Sequence, residues 1–152
     1  MSMITVEEAF KLIENNITSI KKSMLLHTND SLGYVLAEDI YSPINMPPFR
    51  QAAMDGYALN LHNELTYNII DEVKAGDEHR PVLKKGESVR IFTGSAVPET
   101  ANTVIMQEKV TVKGNHLLIN NSISENKNIR PLGEQIKIGT IALKKGTKLT
   151  PA

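Results

Sequence analysis

Four side chains along this 152-residue chain are suited to chemistry: Asp55, Thr93, Arg130 and Glu134. Asp55 lies in the stretch Pro47-Pro48-Phe49-Arg50-Gln51-Ala52-Ala53-Met54-Asp55-Gly56-Tyr57-Ala58. The two prolines fix φ and withhold two backbone donors, which predicts an extended path outside any helix or central strand. Asp55-Gly56 allows a tight reversal or a close backbone approach, and 57–59 reads as the start of a strand. A carboxylate on a stiff loop at a strand mouth can ligate Mg²⁺ or orient the counter-ion of an oxyanion. A turn whose Asp caps its own backbone accounts for the same residues without chemistry.

Thr93-Gly94 ends a strand with a hydroxyl and a flexible backbone, whose N–H groups could form an anion nest. A strand-ending turn in which Thr bonds its own backbone is the alternative. Arg130 offers a planar fork of donors suited to phosphate-like oxyanions, or is a solvated surface Arg. Gly133-Glu134 supply a turn and a second carboxylate. Gln107-Glu108 either line the same site or form a polar strand edge. The four His are scattered without metal-ligand spacing, and no Gly-rich phosphate loop or Ser nucleophile elbow is present.

Composition narrows the classes. Lys+Arg and Asp+Glu each number 17, so the formal charge is zero, which argues against a broad electrostatic footprint for nucleic acid while leaving room for a local anion site. Aromatics make up only 5%, which also argues against a single-strand binding barrel. The absence of Cys excludes disulfides and thiolate metal sites. No apolar run approaches a membrane span and the N-terminus is not a signal peptide, so a cytoplasmic setting is the default.

The elements that must position these residues are mostly β. Thr5, with Glu8 three residues on, predicts a capped helix. Val6, Ala9, Phe10, Ile13 and Ile17 give it one apolar face, read as ordinary core. Residues 23–28 read as a strand and 32–37 as a short helical turn. Strands are expected at 66–73, 88–93, 103–106 and 109–113, with a return strand at 116–120 across a Gly114-Asn115 hairpin turn. Residues 122–128 form the most loop-like run. Short strands at even spacing suggest a barrel or compact sheet.

Four ordered blocks carry a resemblance. They are Leu32-Gly33-Tyr34-Val35-Leu36-Ala37-Glu38-Asp39; Pro47-Pro48-Phe49 with Met54-Asp55-Gly56-Tyr57-Ala58; Arg90-Ile91-Phe92-Thr93-Gly94-Ser95-Ala96-Val97-Pro98 with Val104-Ile105-Met106-Gln107-Glu108; and Asn128-Ile129-Arg130 with Gly133-Glu134. Together they resemble the molybdopterin molybdenumtransferase family, whose animal relative is the gephyrin E domain. The resemblance implies an α+β, mostly β fold: an N-terminal amphipathic helix and a β-rich, barrel-like domain inserted into a small elongated linking domain. Residues 1–41 would hold the helix and the first half of the linking domain, 42–137 the inserted domain, and 138–152 the second linking half. The chain then reads as an N-terminal fragment without the pterin-binding and C-terminal domains. The N-terminal helix packs near that missing third domain in the family, which would leave its apolar stripe partly orphaned.

The implied activity is insertion of molybdate into adenylylated molybdopterin with Mg²⁺ assistance, the fragment alone being inactive. Asp55 and Glu134 would hold metal or molybdate, and Thr93, Gly94 and Arg130 would meet oxyanions of the substrate. Implied partners are a second copy in a homodimer, a molybdopterin adenylyltransferase and the receiving molybdoenzymes, with no nucleic acid and no membrane. A non-enzymatic scaffold of the gephyrin type is the rival. Two departures bear on it: Gln135 replaces the usual Asp, and Ala52 replaces the usual Ser beside the Asp55 loop.

Overall fold

The computed structural model describes residues 3–18, 22–120 and 124–151. Its elements are one helix, α1 (Val6–Asn16), and ten strands: β1 (Ile40–Tyr41), β2 (Gln51–Ala52), β3 (Gly56–Leu59), β4 (Thr66–Val73), β5 (Glu87–Ile91), β6 (Thr103–Met106), β7 (Val110–Lys113), β8 (His116–Ile119), β9 (Ile129–Arg130) and β10 (Ile141–Leu143). Residues 121–123, where the expected 122–128 loop begins, lie outside the described residues, while 125–128 form turns. Among the described residues no helix is long and apolar enough to cross a membrane.

The chain divides into two compact units, Met1–Glu38 with Lys145–Ala152, and Asp39–Lys144. These limits lie outward of 41/42 and 137/138, because β1 and β10 pair with each other inside the larger unit. In the smaller unit, α1 starts at a complete capping box: Thr5 Oγ1 accepts from Glu8 N at 3.2 Å, and Glu8 Oε2 accepts from Thr5 N at 2.8 Å. Its apolar stripe is not core. No residue of α1 is buried, and Val6 and Phe10 are 72% and 62% exposed.

Two local expectations fail in this unit. Residues 23–28 form no strand, since the run finds no ladder partner; Leu25 is fully exposed, and a 3₁₀ turn follows at Thr28–Asp30. Residues 32–37 are not helical. After a turn at 32–33 the chain runs extended, with Val35 bridged to Lys148 and Leu36 N donating to Thr147 O. Partners more than a hundred residues away override the local helical pattern there.

The larger unit holds a six-stranded sheet in the order β6-β3-β5-β4-β8-β7, antiparallel except for the parallel β4–β5 pair. Its edge strands β6 and β7 are joined by only the 3₁₀ turn Gln107–Lys109. A flat six-stranded sheet would part its edges by about 24 Å, whereas four chain steps reach about 14 Å at most. The sheet must therefore curl, and it forms a half-barrel.

Alternation along the strands feeds two cores. Leu59, Tyr67, Ile105, Leu117 and Ile119 form one, and Ala58, Val73, Val89, Ile91 and Val104 belong to the other, with Ala52 and Leu83. A register shift between Ile69 and Asp71 lets β4 serve both: Tyr67 and Ile69 face one core and Val73 the other. The β2–β9 pair binds the Asp55 loop to this second core, through Ala52 and Ile129.

Candidate functional site

Asp55 stands immediately before β3, where two features hold its backbone. The first is Gly56. It does not supply a positive φ; its value is that it lacks a side chain. A Cβ there would lie 1.8 Å from the Ile105 carbonyl oxygen, so only Gly lets β3 and β6 approach at this point. The second is a hydrogen bond from Gln107 N to Asp55 O at 3.2 Å.

The carboxylate itself is clamped. Thr93 N and Thr93 Oγ1 both donate to Asp55 Oδ1, each at 2.7 Å. The backbone N–H of Thr93, followed by its hydroxyl, holds the Asp55 carboxyl below the usual carboxylate range; slight burial opposes this and nearby Arg90 adds to it. Asp55 is exposed and ionised at neutral pH, with its second oxygen unspent.

The turn after β5 is fully committed to structure. Gly94, in the left-handed region at φ +89°, donates its N–H to Ala52 O at 2.9 Å, and Ser95 N donates to Phe92 O at 3.0 Å. With Thr93 N bound to Asp55, three consecutive N–H groups are taken and none is left for an anion nest. Thr93 thus fixes Asp55 in this structure.

Arg130 is exposed on β9, opposite Gln51 of β2, and Gln51 Nε2 donates to Gly94 O at 3.3 Å. Pairing therefore carries the Arg130 backbone to within one strand of the Thr93–Gly94 turn. Glu134 is exposed in the turn after Pro131, which is tied to the proline loop by Gly133 N donating to Pro47 O at 2.9 Å. No hydrogen bond or ion pair joins Arg130 or Glu134 to the Asp55–Thr93 pair among the described residues. Nor do three or more His, Asp or Glu gather there as a metal-binding group.

Three further residues shape the site. Arg90 lies over the rings of Tyr57 and Phe92 at 5.2 and 4.8 Å, and its guanidinium reaches Gly56 O and Gln107 Oε1 at 3.0 and 2.6 Å. Gln107 in turn donates to Glu108 Oε1 at 3.1 Å. Asn128, with φ +55°, binds Val104 O through its side chain and Ala53 N through its carbonyl, holding the Asp55 loop against β6. In the sequence Gln107 already stands as a candidate to line the site, and the Arg90-Ile91 and Asn128-x-Arg130 blocks carry the other two residues; none of these signals names a partner. Ala52 proves to be fully buried core, so the missing hydroxyl is not lost from the site surface. A separate cleft of about 540 Å³, lined by Pro48, Phe49, Arg80, Val82, Val97 and Leu132, contains none of the four candidate residues.

Comparison with known proteins identifies the family and the fold. A family profile described as "MoeA N-terminal region (domain I and II)" matches residues 4–152. The chain is 34% identical to a molybdopterin molybdenumtransferase of Haemophilus influenzae, over 98% of this chain and 38% of the relative. It is 31% identical to the protein of that name from Staphylococcus epidermidis, over 96% of this chain and 36% of the relative. The crystal structure of the molybdopterin biosynthesis moeA protein of Pyrococcus horikoshii OT3 superposes with a TM-score of 0.88 at 33% identity, covering 99% of this chain and 42% of that one. The chain thus spans well under half the length of these relatives. With the family profile matched over residues 4–152 and the fold superposing over nearly the whole chain, the chain belongs to the MoeA N-terminal region family, the part comprising domains I and II.

Proposed function

We propose that this chain is the N-terminal part of a molybdenum cofactor biosynthesis enzyme, a molybdopterin molybdenumtransferase. Its reaction transfers molybdate onto the dithiolene of adenylylated molybdopterin with hydrolysis of the adenylate. The observation that carries the reading is Asp55, an ionised carboxylate fixed by two 2.7 Å bonds from Thr93 with its second oxygen open. The names of the relatives supply the substrate class.

In this reading the open oxygen of Asp55 is a ligand for Mg²⁺, and Glu134 offers a second carboxylate near the β2–β9 edge. The donor set fits that ion, which commonly takes one or two carboxylates and completes its shell with water and substrate oxygens. When bound, the ion would neutralise charge on the phosphate or molybdate oxygens. Arg130, whose guanidinium has no partner among the described residues, meets an oxyanion of the substrate. Thr93 keeps Asp55 ionised and aimed. The remaining wall of the site comes from a pterin-binding region in a second copy of the whole protein. A cytoplasmic setting, a supplying adenylyltransferase and receiving molybdoenzymes belong to the same reading. Residues 1–152 taken alone are expected not to turn over, because one wall cannot orient both reactants.

The test is a chimera in which these residues replace the matching N-terminal region of the Haemophilus influenzae relative. Molybdate-dependent cofactor formation is expected from the chimera. Asp55→Asn should reduce it on the order of 10²-fold, as for loss of one charge-stabilising group, with the β fold retained by far-UV circular dichroism. Near-normal turnover in that variant would return Asp55 to the role of a structural turn residue.

A further inference from the structure

Arg90 takes no part in the mechanism above, yet it makes two hydrogen bonds and two ring contacts beside Asp55. It sits on β5 directly opposite Tyr57 of β3. Its guanidinium lies over the Tyr57 ring and over Phe92, two residues further along its own chain. One amino group donates to Gly56 O at 3.0 Å and the other to Gln107 Oε1 at 2.6 Å. Gln107 N closes the circuit by donating to Asp55 O at 3.2 Å. The ring runs Arg90, Gly56, Asp55, Gln107 and back to Arg90. It spans β5, β3 and the turn after β6, three segments that meet only in the folded sheet.

We infer that Arg90 is a positioning residue for Asp55: its fork, held over two aromatic faces, locks the Asp55–Gly56 peptide and Gln107 together and so fixes where the carboxylate points. Three physical features support it. A guanidinium presents its donors in a rigid plane, so two acceptors on different segments are held at a set separation. The aromatic faces orient that plane without using its hydrogen bonds. Both carbonyls of the Asp55–Gly56 dipeptide are engaged by the ring, and Thr93 engages the side chain. The backbone is fixed from one side and the carboxylate from the other. Arg90 also lowers the Asp55 carboxyl by its charge, though less than the Thr93 bonds do. The functional weight of this ring rests on the reading of Asp55 as the working carboxylate; the ring itself does not.

The test uses the full 152-residue chain with ¹³C-labelled aspartate carboxyls, following Asp55 titration and amide hydrogen exchange by NMR. In Arg90→Met the Asp55 carboxyl should titrate at higher pH. The backbone N–H groups at 93 and 107 should exchange at least about 10-fold faster, as expected for a loosened local segment. Arg90→Lys is the discriminating variant, because it keeps the charge and loses the fork. Faster exchange at 93 and 107 in Arg90→Lys supports positioning. Exchange unchanged in Arg90→Lys, with only the titration moving in Arg90→Met, overturns it and leaves Arg90 a Coulombic neighbour. Should the Arg90 variants not fold, Gln107→Leu cuts the same ring at an exposed side chain. Faster exchange of the N–H at 107 then supports the proposal and unchanged exchange overturns it. None of these readouts needs turnover, so a failed ring and a failed molybdenum-insertion reading give different results.

Discussion

Ser95 Oγ is fully buried and has no hydrogen-bond partner among the described residues. It adjoins Ala52, whose N–H donates to Ser95 O at 2.9 Å. Burying an unsatisfied hydroxyl is costly, and Ser95→Ala is expected to raise unfolding free energy by about 1 kcal/mol in urea titration. A loss of stability would mean that a bound water satisfies the hydroxyl. Thr93→Val tests the neighbouring clamp. It keeps the N–H bond to Asp55 and removes the hydroxyl bond, so the Asp55 carboxyl should titrate closer to the ordinary value. The sign follows from linkage. A carboxylate held below its unfolded pKa contributes stability above that unfolded value, and the contribution is lost as pH falls through the lower folded value. The total loss of stability on acidification should therefore be smaller in Thr93→Val than in the parent chain and should level off at higher pH, while its onset, set by the unfolded value, stays the same, as read by melting temperature across the acid range.

At the scale of elements, the site depends on how closely β3 meets β6. Gly56→Ala would drive a methyl into the Ile105 carbonyl, a backbone atom that cannot swing aside. The expected cost is about 3 kcal/mol or more, above ordinary overpacking because the strands themselves must part. Loss of the Asp55–Thr93 clamp should accompany it, seen as faster exchange at the Thr93 amide. α1 behaves in the opposite way. It is 11 residues long, buries none of them and is held locally by its capping box. Such a helix is marginal by length. Thr5→Ala should cost about 1 kcal/mol of helix stability. The far-UV helical signal should fall, and the melting of the β unit should not change.

For the whole molecule, the two cores of the half-barrel set where stability resides. Ala58, Val89 and Val104 lie in one core and Leu59 and Ile105 in the other, so β3 and β6 face apolar packing on both sides. Their amides, with those of β5, should be the slowest to exchange in the full chain. Those of α1 should exchange near the rate of unstructured peptide, because few buried contacts oppose its opening. Slow exchange throughout α1 would contradict its exposed apolar face.

Much of this architecture is legible in the residues themselves. The capping box of α1 is a matter of residues three apart, and Thr5 and Glu8 suffice to place it. The β-branched run Thr66–Val73 and the Gly114-Asn115 turn are likewise local, and both elements stand where the pattern puts them. The ordered blocks point to the family without reference to geometry. Other features have no local signal. The two-residue strands β2 and β9 exist only because each supplies the other's ladder, and the apolar run 23–28 stays irregular because no strand lies beside it. Gly56 resembles a turn glycine in sequence and is a close-contact glycine in the sheet. Asp55 and Thr93 are 38 residues apart, and their bonds form only when β3 and β5 pair. Residue order is enough to say which side chains are available and where local hydrogen bonds begin or end an element. Which of those side chains meet is set by folding, since contacts across the half-barrel depend on register and curl, and those arise from the packing of all the strands together.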